Sequence, residues 1–269
     1  MAFPVSSLTR AQATLIRALI QDKKVRVREG AFVLEGAKAC LQCVVRHPES
    51  VISLTLSSRY LREEDQTGRS LRARLSTPQF SCADDLFEKL SDVQSPQGIL
   101  AIIRTPKWDD RDLWHQSNKV LGIYGERIRD PANVGAIIRT AAGLDLSALW
   151  LTSDSADCFS PKVVRATAGT VLDFPVIYVK SCSGFTDHHC SIYSAVLPSS
   201  GTVSLRSIHN IPRRVVVAVG NEGQGLNQKT LEMSDVRFSI PLARGVESFN
   251  VSATVAISAF HMRGLQLKP

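Results

Sequence analysis

The sequence has no unbroken apolar run of the roughly 18 residues that a membrane-spanning helix needs. Its first residues lack the apolar core of a secretory signal. Both absences lead to the expectation of a protein without membrane attachment, in the cytoplasm or an equivalent reducing compartment. The six cysteines are then expected as thiols, not as a disulfide framework. Cys40 and Cys43 form a lone C-x-x-C inside a predicted helix, and His188, His189 and Cys190 fall in a predicted loop. Neither has a partner motif, so no metal is expected. No internal repeat and no low-complexity tract occurs. A G-x-G-x-x-G fingerprint followed by a ribose-binding acid is also missing, which disfavours a nucleotide-dependent oxidoreductase.

What is present is a chain of 269 residues, 44% hydrophobic and 21% charged, enough to bury a sizeable core. The net charge of +7 favours polyanionic partners, although a solubilising surface accounts for it equally. The pattern predicts α/β architecture in two parts. Residues 1–105 read as a small α/β domain. Its first helix carries Leu8, Leu15, Ile16, Leu19 and Ile20 at helical spacing, with Ser6 or Ser7 as cap. A basic patch follows at Lys23, Lys24, Arg26 and Arg28. Then come a strand at 31–34, a helix at 37–45, a strand at 51–56 and a buried strand at 98–103. Residues 106–118 are polar and read as a linker. Residues 119–269 alternate strands (120–124, 148–152, 175–179, 191–196, 215–219, 236–240) with helices (133–143, 161–167, 226–233, 250–263). Such alternation predicts a mostly parallel sheet covered on both faces.

Three blocks stand at predicted strand ends, where ligands collect in open α/β sheets. The first is DPANVGAIIRT, 130–140. Asn133 is placed to cap a helix, and Arg139 lies under two turns beyond it. The second is GNEGQGL, 220–226, whose glycines let a ligand touch backbone. Its embedded Glu222 suits an adenosine or a cationic sulfonium better than a pyrophosphate. The third is IPLARGVESFNV, 240–251, in which Ser248 or Asn250 caps a helix. Singly, each block also reads as an ordinary capped helix or glycine turn, and for the first that plainer reading is the stronger one.

Together, in this order, the blocks resemble the SpoU (TrmH) family of ribose 2′-O-methyltransferases, of the SPOUT class. SPKVVRATAG at 160–169 and FPV at 174–176 add to the likeness, which covers about 117–266. REGAFVLEG at 28–36 and SPQGILA at 95–101 resemble that family's N-terminal substrate-binding domain. The resemblance implies a deep trefoil knot in the C-terminal sheet, S-adenosylmethionine as cofactor and a homodimer formed through the C-terminal domains. It implies cofactor contacts at Gly220, Ile240, Leu242, Phe249 and Val251, with Phe249 where most relatives carry leucine. It places Asn133, Glu222, Ser248 and Asn250 in the active site and Arg139 as general base. A free guanidinium keeps its proton throughout the physiological range, so Arg139 is expected to orient the 2′-OH or to act with help. Ser160, Lys162 and Arg165, with Lys23, Lys24, Arg26 and Arg28, are the candidate RNA phosphate contacts.

The expected activity is therefore methylation of a ribose 2′-OH in structured RNA. Ribosomal RNA is the first choice because the two-domain layout resembles the branch acting on it; transfer RNA is second. A non-catalytic RNA-binding or ribosome-assembly protein of the same fold is the rival, disfavoured by the intact set of polar residues.

Overall fold

In a computed structural model, residues 4–267 are described. The chain runs β1 (Val5–Ser7), α1 (Arg10–Gln21), α2 (Lys23–Glu29), β2 (Ala31–Glu35), α3 (Ala37–Arg46), β3 (Val51–Ser57), α4 (Ser58–Glu63), α5 (Gln66–Ala73), β4 (Gln79–Cys82), α6 (Asp84–Leu90) and β5 (Ile99–Arg104). It continues through α7 (Asp110–Gln116), β6 (Val120–Gly125), α8 (Pro131–Gly143), β7 (Leu149–Thr152), α9 (Pro161–Ala166), β8 (Val176–Val179) and α10 (Gly184–Asp187). The rest is β9 (Ser191–Ala195), β10 (Val203–Ser204), β11 (Asn210–Ile211), β12 (Arg214–Val219), α11 (Gln228–Glu232), β13 (Val236–Ser239), α12 (Val251–Arg263) and β14 (Gln266–Leu267).

Two compact units emerge. One comprises the chain through Pro106 together with Phe159–Leu172; the other comprises Lys107–Cys158 and the chain from Asp173 onward. In the first, the strand order is β1-β4-β3-β5-β2. β1, β4 and β3 are mutually parallel, and β5 runs antiparallel between β3 and β2. Ala13, Ile16 and Leu19 recur every three residues, so one stripe of α1 faces inward. They pack with Val33, Leu100, Ile102, Phe87 and Leu90. The returning segment 159–172 lays α9 on β2, and the Phe32 and Phe159 rings lie 5.0 Å apart.

The second unit holds a sheet ordered β10-β13-β9-β12-β6-β7-β8, parallel in every pairing. Residues 215–219 are buried throughout, as a strand covered on both faces requires. One core joins Tyr124, Trp150, Phe185, Ile192 and Val216. Each such side chain, fully buried, contributes roughly 1.5–3 kcal/mol. On α8 and α12, which pack together, Ile137, Ile138, Val255, Ala259 and Met262 are buried.

Several sequence expectations are corrected. The first helix is not capped by Ser6 or Ser7, which belong to β1. Thr9 caps it in a reciprocal box with Gln12. The basic stretch 23–28 is itself a helix, capped by Asp22. Part of the predicted linker is helix α7, capped by Asp109. Arg111, Asp112 and His115 are exposed, while Trp114 is buried and stacks on Trp150 at 5.4 Å. The six cysteines are all buried, and none is in a disulfide. Among the described residues no helix is long and apolar enough to cross a membrane.

Candidate active site

β6 and β12 are parallel neighbours in register, so the segments leaving their C-terminal ends emerge on one edge of the sheet. After β6 the chain passes Glu126 and Arg127 into α8; after β12 it forms the loop 220–226. Gly220 is required there by crowding. A Cβ on it would lie 2.2 Å from the Gly225 carbonyl carbon and 2.3 Å from the Leu226 nitrogen.

Asn133 does not cap α8. Asp130 does, accepting from the Ala132 N–H at 2.9 Å, with Pro131 preset at the first helical position. Asn133 is thereby freed and stands buried at the third helical position. Its Nδ2 donates to Glu222 Oε1, and its Oδ1 accepts from Asn250 Nδ2 at 3.0 Å. Asn250 is the cap of α12, its Oδ1 accepting from the Ser252 N–H at 2.8 Å and hydroxyl at 2.6 Å. Residues from all three sequence blocks thus form one hydrogen-bonded chain, with a single carboxylate at the end of two amides. This arrangement is suited to fixing a ligand's geometry near a negative charge.

Arg139 and Ser248 are not brought into that chain. Both are exposed, and among the described residues neither side chain makes a hydrogen bond or ion pair. Six residues at 3.6 per turn set Arg139 about 120° around α8 from Asn133. The cofactor candidates other than Gly220 surround the third block: Ile240 and Leu242 are half-buried, Phe249 is 39% exposed and Val251 is buried. Within 242–249, the backbone hydrogen bond present among the described residues joins Val246 N–H to the Ala243 carbonyl at 3.2 Å. The peptide groups of Leu242 and Phe249 therefore remain available to a ligand, beside apolar side chains. This combination of open backbone and apolar wall fits an adenosine-bearing cofactor.

The phosphate-contact candidates all fall in the first unit, because 159–172 joins it. Lys23, Lys24 and Lys162 are exposed. Arg28 is exposed and pairs with Glu29 at 2.8 Å. Arg165 pairs with Asp92 at 2.9 Å. The Ser160 hydroxyl is buried without a hydrogen-bond partner among the described residues. Arg26 is the exception: it is 6% exposed and donates to the Leu19 and Ile20 carbonyls at 2.6 and 3.0 Å. It closes the end of α1 and is withdrawn from any surface role.

Sequence reasoning missed Glu126 and Arg127. Glu126 is buried, accepting from Asn227 N–H at 3.0 Å and Thr230 Oγ1 at 2.6 Å. Arg127 has φ of +57°, a left-handed backbone costing an ordinary residue about 1–2 kcal/mol. No local signal distinguishes this arginine from a surface one.

Comparison with known proteins agrees with this geometry. Residues 121–260 match the SpoU rRNA methylase family, and residues 15–101 match the MRM3-like substrate binding domain. An uncharacterized tRNA/rRNA methyltransferase of Synechocystis is 28% identical over 97% of this chain and 95% of its own. The 23S rRNA (guanosine(2553)-2′-O)-methyltransferase RlmP of Bacillus subtilis is 26% identical over 91% of this chain and 93% of its own. The structure of an AdoMet-bound rRNA methyltransferase from Sinorhizobium meliloti superposes with a TM-score of 0.79 at 25% identity, covering 96% of this chain and 95% of that one. Fold and site together define an RNA methyltransferase. The chain belongs to the SpoU rRNA methylase family.

Proposed function

We propose that this protein transfers the methyl group of S-adenosylmethionine to a ribose 2′-OH of ribosomal RNA. The observation that carries this reading is the Glu222–Asn133–Asn250 chain, built from three separate blocks at the C-terminal edge of a parallel sheet. RlmP, named for 23S rRNA ribose methylation, aligns along nearly the whole chain, which favours ribosomal over transfer RNA.

S-adenosylmethionine supplies an activated methyl on a sulfonium, so the residues here have mainly to bind, orient and exclude water. Gly220, Ile240, Leu242, Phe249 and Val251 hold the cofactor, with Phe249 as a wall for the adenine. The Glu222 carboxylate places negative charge near the sulfonium. Asn133 donates to that carboxylate and is itself held by Asn250, and Ser248, in the same block as Asn250, meets substrate. Arg139 orients the ribose hydroxyl, a positioning role that its fixed guanidinium charge suits. A trefoil knot in the C-terminal sheet, implied by the family resemblance, belongs to the same reading. The first unit supplies phosphate contacts through Lys23, Lys24, Arg28, Ser160, Lys162 and Arg165.

Homodimerisation through the second unit belongs to the same reading. On α12, Ile257 is 37% and Phe260 is 72% exposed, beside an open groove of about 780 Å³ that Leu144, Ile240 and Pro241 help to line. An apolar face of this kind is what a second copy would cover. The six buried thiols fit a reducing compartment such as the cytoplasm.

The test is calorimetry with S-adenosylmethionine, followed by methyl transfer to purified ribosomal and transfer RNA. Binding with transfer to ribosomal RNA is expected. Absence of cofactor binding would overturn the reading, and binding without transfer would favour an assembly factor.

A further inference from the structure

Glu126 and Arg127 leave β6 together and grip the 220–226 loop: the Arg127 side chain holds 224–225, its main-chain carbonyl holds Asn221, and Glu126 holds the segment just past the loop. Arg127 Nη1 donates to Gln224 Oε1 at 3.0 Å and its Nη2 to the Gly225 carbonyl at 3.2 Å. Its own carbonyl accepts from Asn221 Nδ2 at 3.1 Å, and its N–H donates to Thr152 Oγ1 at 2.8 Å. Glu126 takes the far end, through Asn227 and Thr230, and meets Arg127 Nη2 at 3.1 Å. Asn221 Oδ1 in turn accepts from the Gly223 and Gln224 N–H groups at 3.0 and 3.2 Å.

The placement is unusual for the residue type. Glycine adopts φ of +57° without steric cost, whereas an arginine there is strained. A non-glycine residue kept in this region at a site marks a role that offsets the strain. Here the left-handed turn points the guanidinium at the loop that carries both Gly220 and Glu222.

We infer that Arg127 is a positioning residue for methyl transfer, fastening the 220–226 loop so that Glu222 meets Asn133 and Gly220 faces the cofactor. It touches neither cofactor nor substrate and acts through the loop. The inference rests on the methyltransferase reading for its effect on cofactor affinity, but its structural half does not.

The experiment uses Arg127→Gly in the full chain. Glycine keeps the left-handed backbone without strain and removes the whole side chain, the ion pair to Glu126 included; Glu126 keeps its bonds to Asn227 and Thr230, so the chain should stay folded. Hydrogen–deuterium exchange on the cofactor-free protein should show faster exchange confined to 220–226. Affinity for S-adenosylmethionine should weaken about tenfold, with partial rescue by millimolar guanidinium ion. Gln224→Ala, at an exposed position, guards against a variant that misfolds. It should weaken binding in the wild type but add nothing in the Arg127→Gly background. Unchanged exchange in 220–226, or additive effects of the two substitutions, would overturn the inference. Failure of the wild type itself to bind S-adenosylmethionine would instead overturn the methyltransferase reading, leaving the exchange result standing.

Discussion

Asn250 donates its side-chain amide to Asn133 at 3.0 Å, joining residues 117 positions apart. Through this bond the cap of α12 and the first turn of α8 share one side chain, and Glu222 is tied to both. Asn133→Ala removes the middle of that chain. Turnover should fall about a hundredfold, the scale at which small misplacements of reacting groups act. Circular dichroism should remain native, because Asp130 still caps α8. Wild-type turnover in this variant would detach the chain from catalysis.

Gly220→Ala should be far more damaging than its size suggests. The added methyl would meet backbone atoms 2.2–2.3 Å away, and backbone cannot rotate aside as a side chain can. A loss of at least about 3 kcal/mol is expected, read by urea denaturation. A stable variant with normal cofactor affinity would mean that the 220–226 turn relaxes.

Glu35 sets a pH dependence in the first unit. Burial raises its pKa above the ordinary carboxylate range, against the opposing hydrogen bond from Ser91, whose hydroxyl lies 2.5 Å away. The folded state then holds a proton that the unfolded state releases. Stability from this group is full below the unfolded carboxylate value of about 4.3 and declines as pH rises through the folded value. Glu35→Gln keeps an acceptor for Ser91 and removes the titration. Its melting temperature should exceed the wild type's at neutral pH and converge with it in acid; the opposite order would refute the assignment.

Arg26 and Lys24 should separate cleanly. Arg26→Met leaves the Leu19 and Ile20 carbonyls without their charged donor, a loss of about 1.5–3 kcal/mol. Lys24→Ala, at an exposed position, should change stability by no more than about 0.5 kcal/mol. It should instead weaken RNA binding and lower the salt slope by about 1. Filter binding over a salt series, beside thermal melts, measures both.

The parallel sheet was legible because its strands are buried on both faces and so read as runs of valine, leucine and isoleucine. The clustering of Asn133, Glu222 and Asn250 was legible only through resemblance, since no local pattern relates residues so far apart in sequence. What escaped has physical causes. Asn133 and Asp130 are both good caps, and spacing does not choose between them. Arg26 lies in a run of surface-like charges, yet its long side chain folds back on α1. Arg127 owes its place to a backbone conformation that residue type argues against. α7 hides one buried tryptophan in an acidic stretch.

The return of residues 159–172 to the first unit has a consequence for biosynthesis. As the polypeptide is made from its N-terminus, the first sheet is available early, but the segment that lays α9 on β2 follows only after β6, α8 and β7 of the other unit. Until then the flank of β2, with Phe32, lacks its cover. The first unit therefore begins maturing before the second and cannot finish until much of the second has been synthesised, so the nascent chain must keep an apolar flank from straying while the ribosome completes it.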